Sequence, residues 1–231
     1  MLDPRKAALL YAIIQEYAQT AEPVGSAVIA AKYRLGVSPA TLRSEMYVLE
    51  SDGYLDKPHT SAGRVPTEKG YRYYVRHLRH EDRTTRGDAR SFELALHDLR
   101  HPEAVKGIAR ALAEIAGEMV VVGFGRGEVY CSGIGKLFGK PDIMQSLMLA
   151  SIAAAIDRLP EELHEAFHEV TDSVHIFIGR ENPIDPHCSA LFTRYRISGG
   201  SGVLGIFGPM RMDYDRNSAL LILAKKMLQD F

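Results

Sequence analysis

Apolar residues recur with a helical period in the middle of the first 80 residues. The residues that share one buried face of this predicted helix are Leu42, Met46 and Leu49. Ser38 is suited to the N-cap and Pro39 to the first helical position, where a missing N–H costs nothing. Gly53 is suited to the left-handed conformation that ends many helices. The pattern therefore predicts a helix that begins after Ser38 and stops at Gly53.

A short strand and a polar tip follow this helix. Residues 54–57 have the pattern of a strand that ends at Pro58, and the next seven residues are HTSAGRV. Thr67, with Glu68 in the first turn, marks the start of another helix. A helix, a short strand, a polar tip and a second strand, in this order, predict a winged helix-turn-helix.

The predicted helix and wing carry side chains suited to DNA. A helix N-terminus rich in Ser, Thr and Arg can reach base edges in a major groove. The candidates for base readout are Ser38, Ala40, Thr41, Arg43, Ser44 and Tyr47. The wing can lie along phosphates or enter the minor groove. The candidates for wing and phosphate contacts are His59, Thr60, Ser61, Arg64, Lys69 and Arg72. The alternative interpretation is a solvated hairpin beside a solvated charged face.

Five sequence strings carry a family resemblance. HTSAGRVPTEKGYRYYV (His59 to Val75), EPVGS (Glu22 to Ser26) and SPATLRSEM (Ser38 to Met46) resemble the heat-inducible transcription repressor HrcA family. IGRENPID (Ile178 to Asp185) and GIFGPMRMDYDR (Gly205 to Arg216) resemble that family's other end. The resemblance covers about the first 78 and the last 100 residues and fades over roughly residues 80–115. Members of the family are usually longer, so we expect a shortened member.

The resemblance implies a function. Members of this family are sequence-specific DNA-binding repressors of heat-shock (chaperone) genes, which bind an inverted-repeat operator as a homodimer and release it on heat stress. The family also implies the chaperonin as a partner that maintains the active form, and a GAF-like fold for the second domain. The alternative is a GAF-like small-molecule-sensing regulator whose winged helix is only a protein-interaction module.

The predicted fold class is α+β: an N-terminal winged helix-turn-helix followed by a GAF-like α+β domain, shortened relative to the family. Strands interleaved with helices in the second half support this class. The predicted organisation is a DNA-binding domain over residues 1–80, a linker and connecting helix over 81–103, and a regulatory and dimerisation domain over 104–231. The charged stretch 81–91 predicts the linker. Helices predicted at 92–99 and 104–117 offer apolar faces as candidate dimer contacts, together with the Tyr-rich helix that follows the wing. The glycine-rich run 198–202 predicts a hairpin between two strands.

Charge is distributed unevenly along a chain whose net charge is −1. The first 80 residues carry 11 Lys or Arg against 8 Asp or Glu, and the remainder carries 17 against 21. Within residues 54–79, six basic side chains are opposed only by Asp56 and Glu68. A local basic surplus on a nearly neutral chain suits a phosphate-contacting module joined to a domain that does not bind DNA.

Enzyme, cofactor and metal chemistry are not expected. The GxGxxG match at residues 200–205 leads into a strand instead of a helix. Residues 213–217, DYDRN, begin like a calcium loop but lack its Gly and its bidentate Glu. Cys131 and Cys188 are isolated and are expected to be reduced core residues. The apolar run 147–156 is too short to span a bilayer, and the start MLDPRK lacks signal-peptide order, so we expect the cytoplasm and no membrane partner.

Overall fold

Residues 1–78 form the first of two structural units into which the chain divides, and residues 79–231 form the second. The structure is a computed structural model that describes residues 2–59, 62–78, 83–96, 102–124, 127–144, 148–163, 170–198 and 200–230. The elements of the first unit are helix α1 (Pro4–Thr20), α2 (Ser26–Lys32), α3 (Pro39–Ser51), strand β1 (Leu55–Asp56), β2 (Val65–Pro66) and α4 (Glu68–Arg76). The two strands pair antiparallel.

Local capping sets the starts of three of these helices, as the sequence predicts. The Asp3 carboxylate accepts hydrogen bonds from two backbone N–H groups of α1. The Ser38 hydroxyl accepts from the N–H of Thr41, and the Thr67 hydroxyl accepts from the N–H of Gly70. Each cap satisfies a donor that the first helical turn cannot satisfy by itself.

Two expectations for α2 are wrong. The sequence predicts Ser26 as its N-cap, but Gly25 occupies that position and makes no side-chain capping bond, so Ser26 is the first helical residue. The sequence also predicts that both Val28 and Ile29 pack in the core, yet Val28 is 39% exposed, whereas Ile29 is fully buried. The helix is only seven residues long, and its rotation about its own axis depends on the neighbouring helices and not on the local sequence.

The second unit combines helices with one sheet. Its elements are α5 (Arg86–Leu96), α6 (Glu103–Ala116), β3 (Met119–Phe124), β4 (Glu128–Ser132), α7 (Ile134–Phe138), α8 (Pro141–Met144), α9 (Met148–Asp157), β5 (His175–Ile178), β6 (Cys188–Ile197), β7 (Gly200–Pro209) and α10 (Tyr214–Gln229). Residues 159–163 are also helical. The five strands pair antiparallel in the order β4-β3-β7-β6-β5.

Both faces of this sheet are buried. On one face, Met119 and Val121 of β3 lie in a core cluster with Phe192 and with residues of α7 to α9. Residues of opposite parity, such as Val120 and Leu191, are also fully buried, and α6 and α10 pack against the sheet. A sheet covered on both sides needs long apolar runs, which the sequence of β3, MVVVGF, supplies.

Two boundaries differ from those predicted. The stretch 81–91 was expected to be a linker, but α5 begins at Arg86, so its second half is helical. The expected glycine-rich hairpin loop is shorter, because β7 begins at Gly200, which pairs with Ile197. The sequence also predicts a helix over residues 161–169, of which residues 164–169 lie outside the described residues.

The expected dimer contacts on α5 and α6 are also wrong. Phe92 of α5 and Leu112 of α6 have no exposed surface, and Leu96 is 6% exposed. The two helices pack on each other and on α10. Their apolar faces therefore belong to the core of the second unit.

A capping network explains why a polar sequence begins α5. The Thr85 hydroxyl accepts a hydrogen bond from the N–H of Asp88, and the Asp88 carboxylate accepts from the N–H and hydroxyl of Thr85. Arg216 of α10 donates to the same carboxylate at 2.7 Å. The hydrogen bond from the Arg216 guanidinium holds the pKa of Asp88 below its ordinary value.

We expect Asp88→Asn to lower the free energy of unfolding at pH 7 by about 1–3 kcal/mol, because a charged hydrogen-bond acceptor is lost. Since the folded-state pKa is depressed, this stabilisation is present above the unfolded value of about 3.9 and is lost as pH falls through the folded-state pKa. Urea unfolding at pH 7 and at lower pH measures the difference from wild type. Asp230→Asn, at the exposed end of α10, is the control. If the difference in free energy of unfolding between Asp88→Asn and wild type did not become smaller at low pH, the depressed pKa of Asp88 would be contradicted.

Candidate nucleic-acid interface

One face of α3 is exposed and polar, and it carries most of the residues that the sequence predicts for base readout. Ala40, Arg43, Ser44 and Tyr47 follow one another at helical spacing, so they form a stripe along a single face. All four are exposed, Tyr47 to 66%. Thr41 lies beside this stripe and is also exposed. The six predicted readout residues, including the N-cap Ser38, are therefore brought together on one accessible surface.

The opposite face of α3 is fixed in the first unit. Leu42 and Leu49 have no exposed surface, and Met46 is 3% exposed. Glu45 is 6% exposed and forms an ion pair with Arg5 of α1. A buried carboxylate needs such a partner, because an isolated charge in the interior is costly. The polar stripe is thus mounted on a helix whose orientation is set by both apolar and ionic contacts.

The β1–β2 hairpin is attached to the turn between α1 and α2. The backbone N–H of Val24 donates to the carbonyl of Arg64, and the N–H of Arg64 donates to the carbonyl of Val24, both at 2.9 Å. A Cβ at Gly63 would lie 2.5 Å from the Val24 carbonyl, so only glycine allows this approach. His59 is exposed near the hairpin tip. Thr60 and Ser61, predicted as contacts at the tip, lie outside the described residues.

The three basic residues predicted for phosphate contacts all have partners within the first unit. Arg64 donates through Nε and Nη2 to Oε2 of Glu50, at 2.8 and 2.7 Å, and its side chain is only 14% exposed. Lys69 donates to the carbonyl of Asp52 at 2.6 Å, and its ammonium lies 4.4 Å from the centre of the Tyr54 ring.

Arg72, the third, pairs with Glu68 at 2.5 Å, one helical turn away on α4. Arg64 is therefore held against α3, whereas Lys69 and Arg72 lie on α4. The structure does not bring these three side chains to a single point.

The sequence predicts packing roles for Tyr71 and Tyr74 of α4, and the structure confirms them. Tyr71 is 2% and Tyr74 is 6% exposed, and the Tyr74 ring packs edge-on against Tyr11 of α1 at a centroid distance of 5.1 Å. These two rings serve packing. Tyr73 is half-buried and packs against Tyr54.

A pocket of about 350 Å³ lies between α3, the hairpin and the α1–α2 turn. Arg43 of α3 and Arg64 line it together with Lys57, which follows β1 directly. Lys57 belongs to the basic surplus of residues 54–79 but is not among the predicted site residues. Its position at the end of a strand next to the polar tip is the feature of the sequence that could have identified it.

The described residues show neither a metal-binding cluster nor a membrane-spanning helix. No group of three or more His, Cys, Asp or Glu side chains within those ranges is arranged to hold a metal ion. None of the described helices has the length and apolar character needed to cross a bilayer.

Comparison with known proteins identifies relatives of both units. The family model described as "HrcA protein C terminal domain" matches residues 83–217, which include much of the region where the resemblance in the sequence fades. A protein of Thermobifida fusca named heat-inducible transcription repressor HrcA is 38% identical over 175 residues, which are 75% of this chain and 50% of the relative. The protein of that name from Pelotomaculum thermopropionicum is 52% identical over 102 residues, 42% of this chain and 29% of the relative.

A shorter match reaches a higher identity. The protein of the same name from Carboxydothermus hydrogenoformans is 63% identical over 78 residues, 34% of this chain and 23% of the relative. The chain thus spans half or less of the length of these relatives. A solved structure described as a hypothetical protein at 2.2 Å resolution has a TM-score of 0.76 at 19% identity, and the match covers 100% of this chain and 99% of that one. This likeness supports the fold alone.

Proposed function

This chain belongs to the HrcA family, and from that premise we propose that it is a sequence-specific DNA-binding repressor of heat-shock genes. The observation that carries the proposal is the exposed stripe on α3, in which Arg43, Ser44 and Tyr47 are accessible while the opposite face is buried. Exposed polar side chains at helical spacing on a fixed helix are what reading a major groove requires. The names of the relatives support the same function.

We propose that the first unit is a winged helix-turn-helix, with α2 and α3 as its helix pair and the β1–β2 hairpin as its wing. In this proposal α3 enters the major groove and presents Ser38, Ala40, Thr41, Arg43, Ser44 and Tyr47 to the bases. The hairpin and α4 face the phosphates with His59, Thr60, Ser61, Arg64, Lys69 and Arg72. The basic surplus of residues 54–79 supports this division of roles.

We propose that the second unit is the GAF-like regulatory and dimerisation domain of the family. One antiparallel sheet covered on both faces by helices supports the assignment. A homodimer would place one α3 on each half of an inverted repeat, since two-fold protein symmetry matches two-fold operator symmetry. We also propose that the protein releases its operator on heat stress, that the chaperonin is a partner, and that the protein acts in the cytoplasm.

The direct test is selection of duplex DNA from a random pool by the full chain. We expect the protein to enrich an inverted repeat and to shift that duplex in a gel at lower concentration than a scrambled duplex of equal length. Heating should reduce the shifted fraction. Equal affinity for both duplexes would contradict sequence-specific repression and would favour the protein-interaction alternative.

Arg64 should contribute mainly sequence-independent affinity. Glu50 engages its Nε and Nη2, which leaves Nη1 for a phosphate oxygen. Arg64→Ala should therefore lower the magnitude of the slope of log K against log salt by about 0.9, the effect of one lost phosphate contact. Filter binding between low and moderate salt measures the slope. Arg90→Ala is the matched control, because Arg90 is exposed on α5. An unchanged slope for Arg64→Ala would show that Arg64 does not contact a DNA phosphate.

A further inference from the structure

The pocket between α3, the hairpin and the α1–α2 turn is lined by three basic side chains and by no acidic one. Arg64 enters it from the hairpin, Arg43 from α3, and Lys57 from the end of β1. With the described residues, neither Arg43 nor Lys57 forms an ion pair. The charge of Arg64 is balanced by the ion pair with Glu50. The charges of Arg43 and Lys57 therefore give the pocket its net positive charge.

The shape of the pocket is fixed by backbone contacts. The reciprocal hydrogen bonds between Val24 and Arg64 join two of its walls. Gly63 lies against the Val24 carbonyl where no larger residue fits. Glu50 holds the Arg64 guanidinium at the wall, so that little side-chain entropy remains to be lost when an anion binds. An anion site of this kind is formed before its ligand arrives.

We infer that this pocket binds one phosphate group of the DNA backbone, and that Lys57 is a phosphate-contacting residue at the proposed interface. This inference rests on the proposed function. A volume of about 350 Å³ is large enough to admit a phosphate group. Because Arg43 belongs both to the pocket and to the exposed stripe of α3, a phosphate held here fixes the register of α3 on the bases.

The same chemistry would suit a free phosphate anion, so the test must separate the two sources. The protein is the full chain, and the DNA is the duplex that the wild-type protein enriches from a random pool. Lys57→Gln should lower the magnitude of the slope of log K against log salt by about 0.9. Lys57→Arg should keep the wild-type slope, because it keeps the charge. Lys136→Gln, which removes an equal charge from the second unit, should also leave the slope unchanged.

A neutral methylphosphonate placed at successive positions of that duplex locates the contacted phosphate. At one position, neutralising the phosphate should weaken binding by the wild-type protein but leave binding by Lys57→Gln nearly unaffected. The two changes remove the same contact, so their effects on the binding free energy do not add. Circular dichroism confirms that each variant is folded. An unchanged slope for Lys57→Gln, together with additive effects at every position, would overturn the inference while leaving the proposed function standing.

The second arm uses inorganic phosphate without DNA. A free phosphate lacks the neighbouring contacts that hold the backbone of a bound duplex in place, so we expect phosphate to raise the melting temperature of the wild-type protein no more than chloride does at equal ionic strength. A phosphate-specific rise that Lys57→Gln abolishes would identify a free-anion site and overturn the assignment to the DNA backbone. A wild-type protein that retains no duplex from the pool would overturn both this inference and the proposed function.

Discussion

Leu112→Asp should unfold the second unit instead of merely separating a dimer. Leu112 has no exposed surface and lies on α6, which packs on α5, α10 and β3. The substitution removes apolar burial and places a carboxylate among apolar side chains, so we expect a loss of more than about 3 kcal/mol. That is a large share of the stability of a typical domain, about 5–15 kcal/mol. Denaturant unfolding followed by circular dichroism measures the loss.

Leu94→Asp on α5 is the matched control for this experiment. Leu94 is 69% exposed, so the same chemical change there should alter the free energy of unfolding by less than about 0.5 kcal/mol. Light scattering on both variants reports the association state independently. If Leu112→Asp kept wild-type stability and lost only its dimer, the burial of α6 within the second unit would be contradicted.

Arg43→Ala should weaken binding to the selected duplex more than binding to random DNA. Arg43 lies on the exposed stripe of α3, one turn from the capped N-terminus. Loss of a good bidentate base contact costs about 1–3 kcal/mol, and each 1.4 kcal/mol is about tenfold in affinity. Gel-shift titration against both duplexes measures the two losses, and their ratio is the specificity contribution of Arg43.

Arg43→Lys separates charge from geometry. Lysine keeps the positive charge but cannot make the planar bidentate contact of a guanidinium. We therefore expect Arg43→Lys to retain affinity for random DNA and to lose affinity for the selected duplex. An equal loss on both duplexes in Arg43→Ala, restored by lysine, would place Arg43 on the backbone phosphate of the pocket and not on a base.

The sequence predicts the caps and the order of elements in the first unit because these depend on neighbours along the chain. The hydroxyl of Ser38 bonds to a backbone group three residues away, and that of Thr67 does the same. The apolar spacing of Leu42, Met46 and Leu49 also identifies the buried face of α3 correctly. The same spacing also predicts the exposed stripe, because the stripe is the face of α3 opposite the apolar residues.

Interactions that join distant segments were not predictable from the sequence. The stretch before Ser91 is poor in apolar residues, which favoured a linker, yet α5 begins there because Asp88 is held by Thr85 and by Arg216, 128 residues further on. The apolar faces of α5 and α6 were expected to contact a second copy. They are buried within one chain because α5 and α6 pack against each other and against α10, and α6 also packs against the sheet.

The sequence by itself determined which residues face outward on α3 and where its helix starts, since a helical period and a cap are local properties. Only the tertiary structure decided what the basic residues do. Arg64 meets Glu50 across 14 residues, and Lys57 reaches the pocket because β1 pairs with β2 and the hairpin is bonded to Val24. The sequence shows which residues are charged, but the partner of each charged residue depends on which segments the tertiary fold brings into contact.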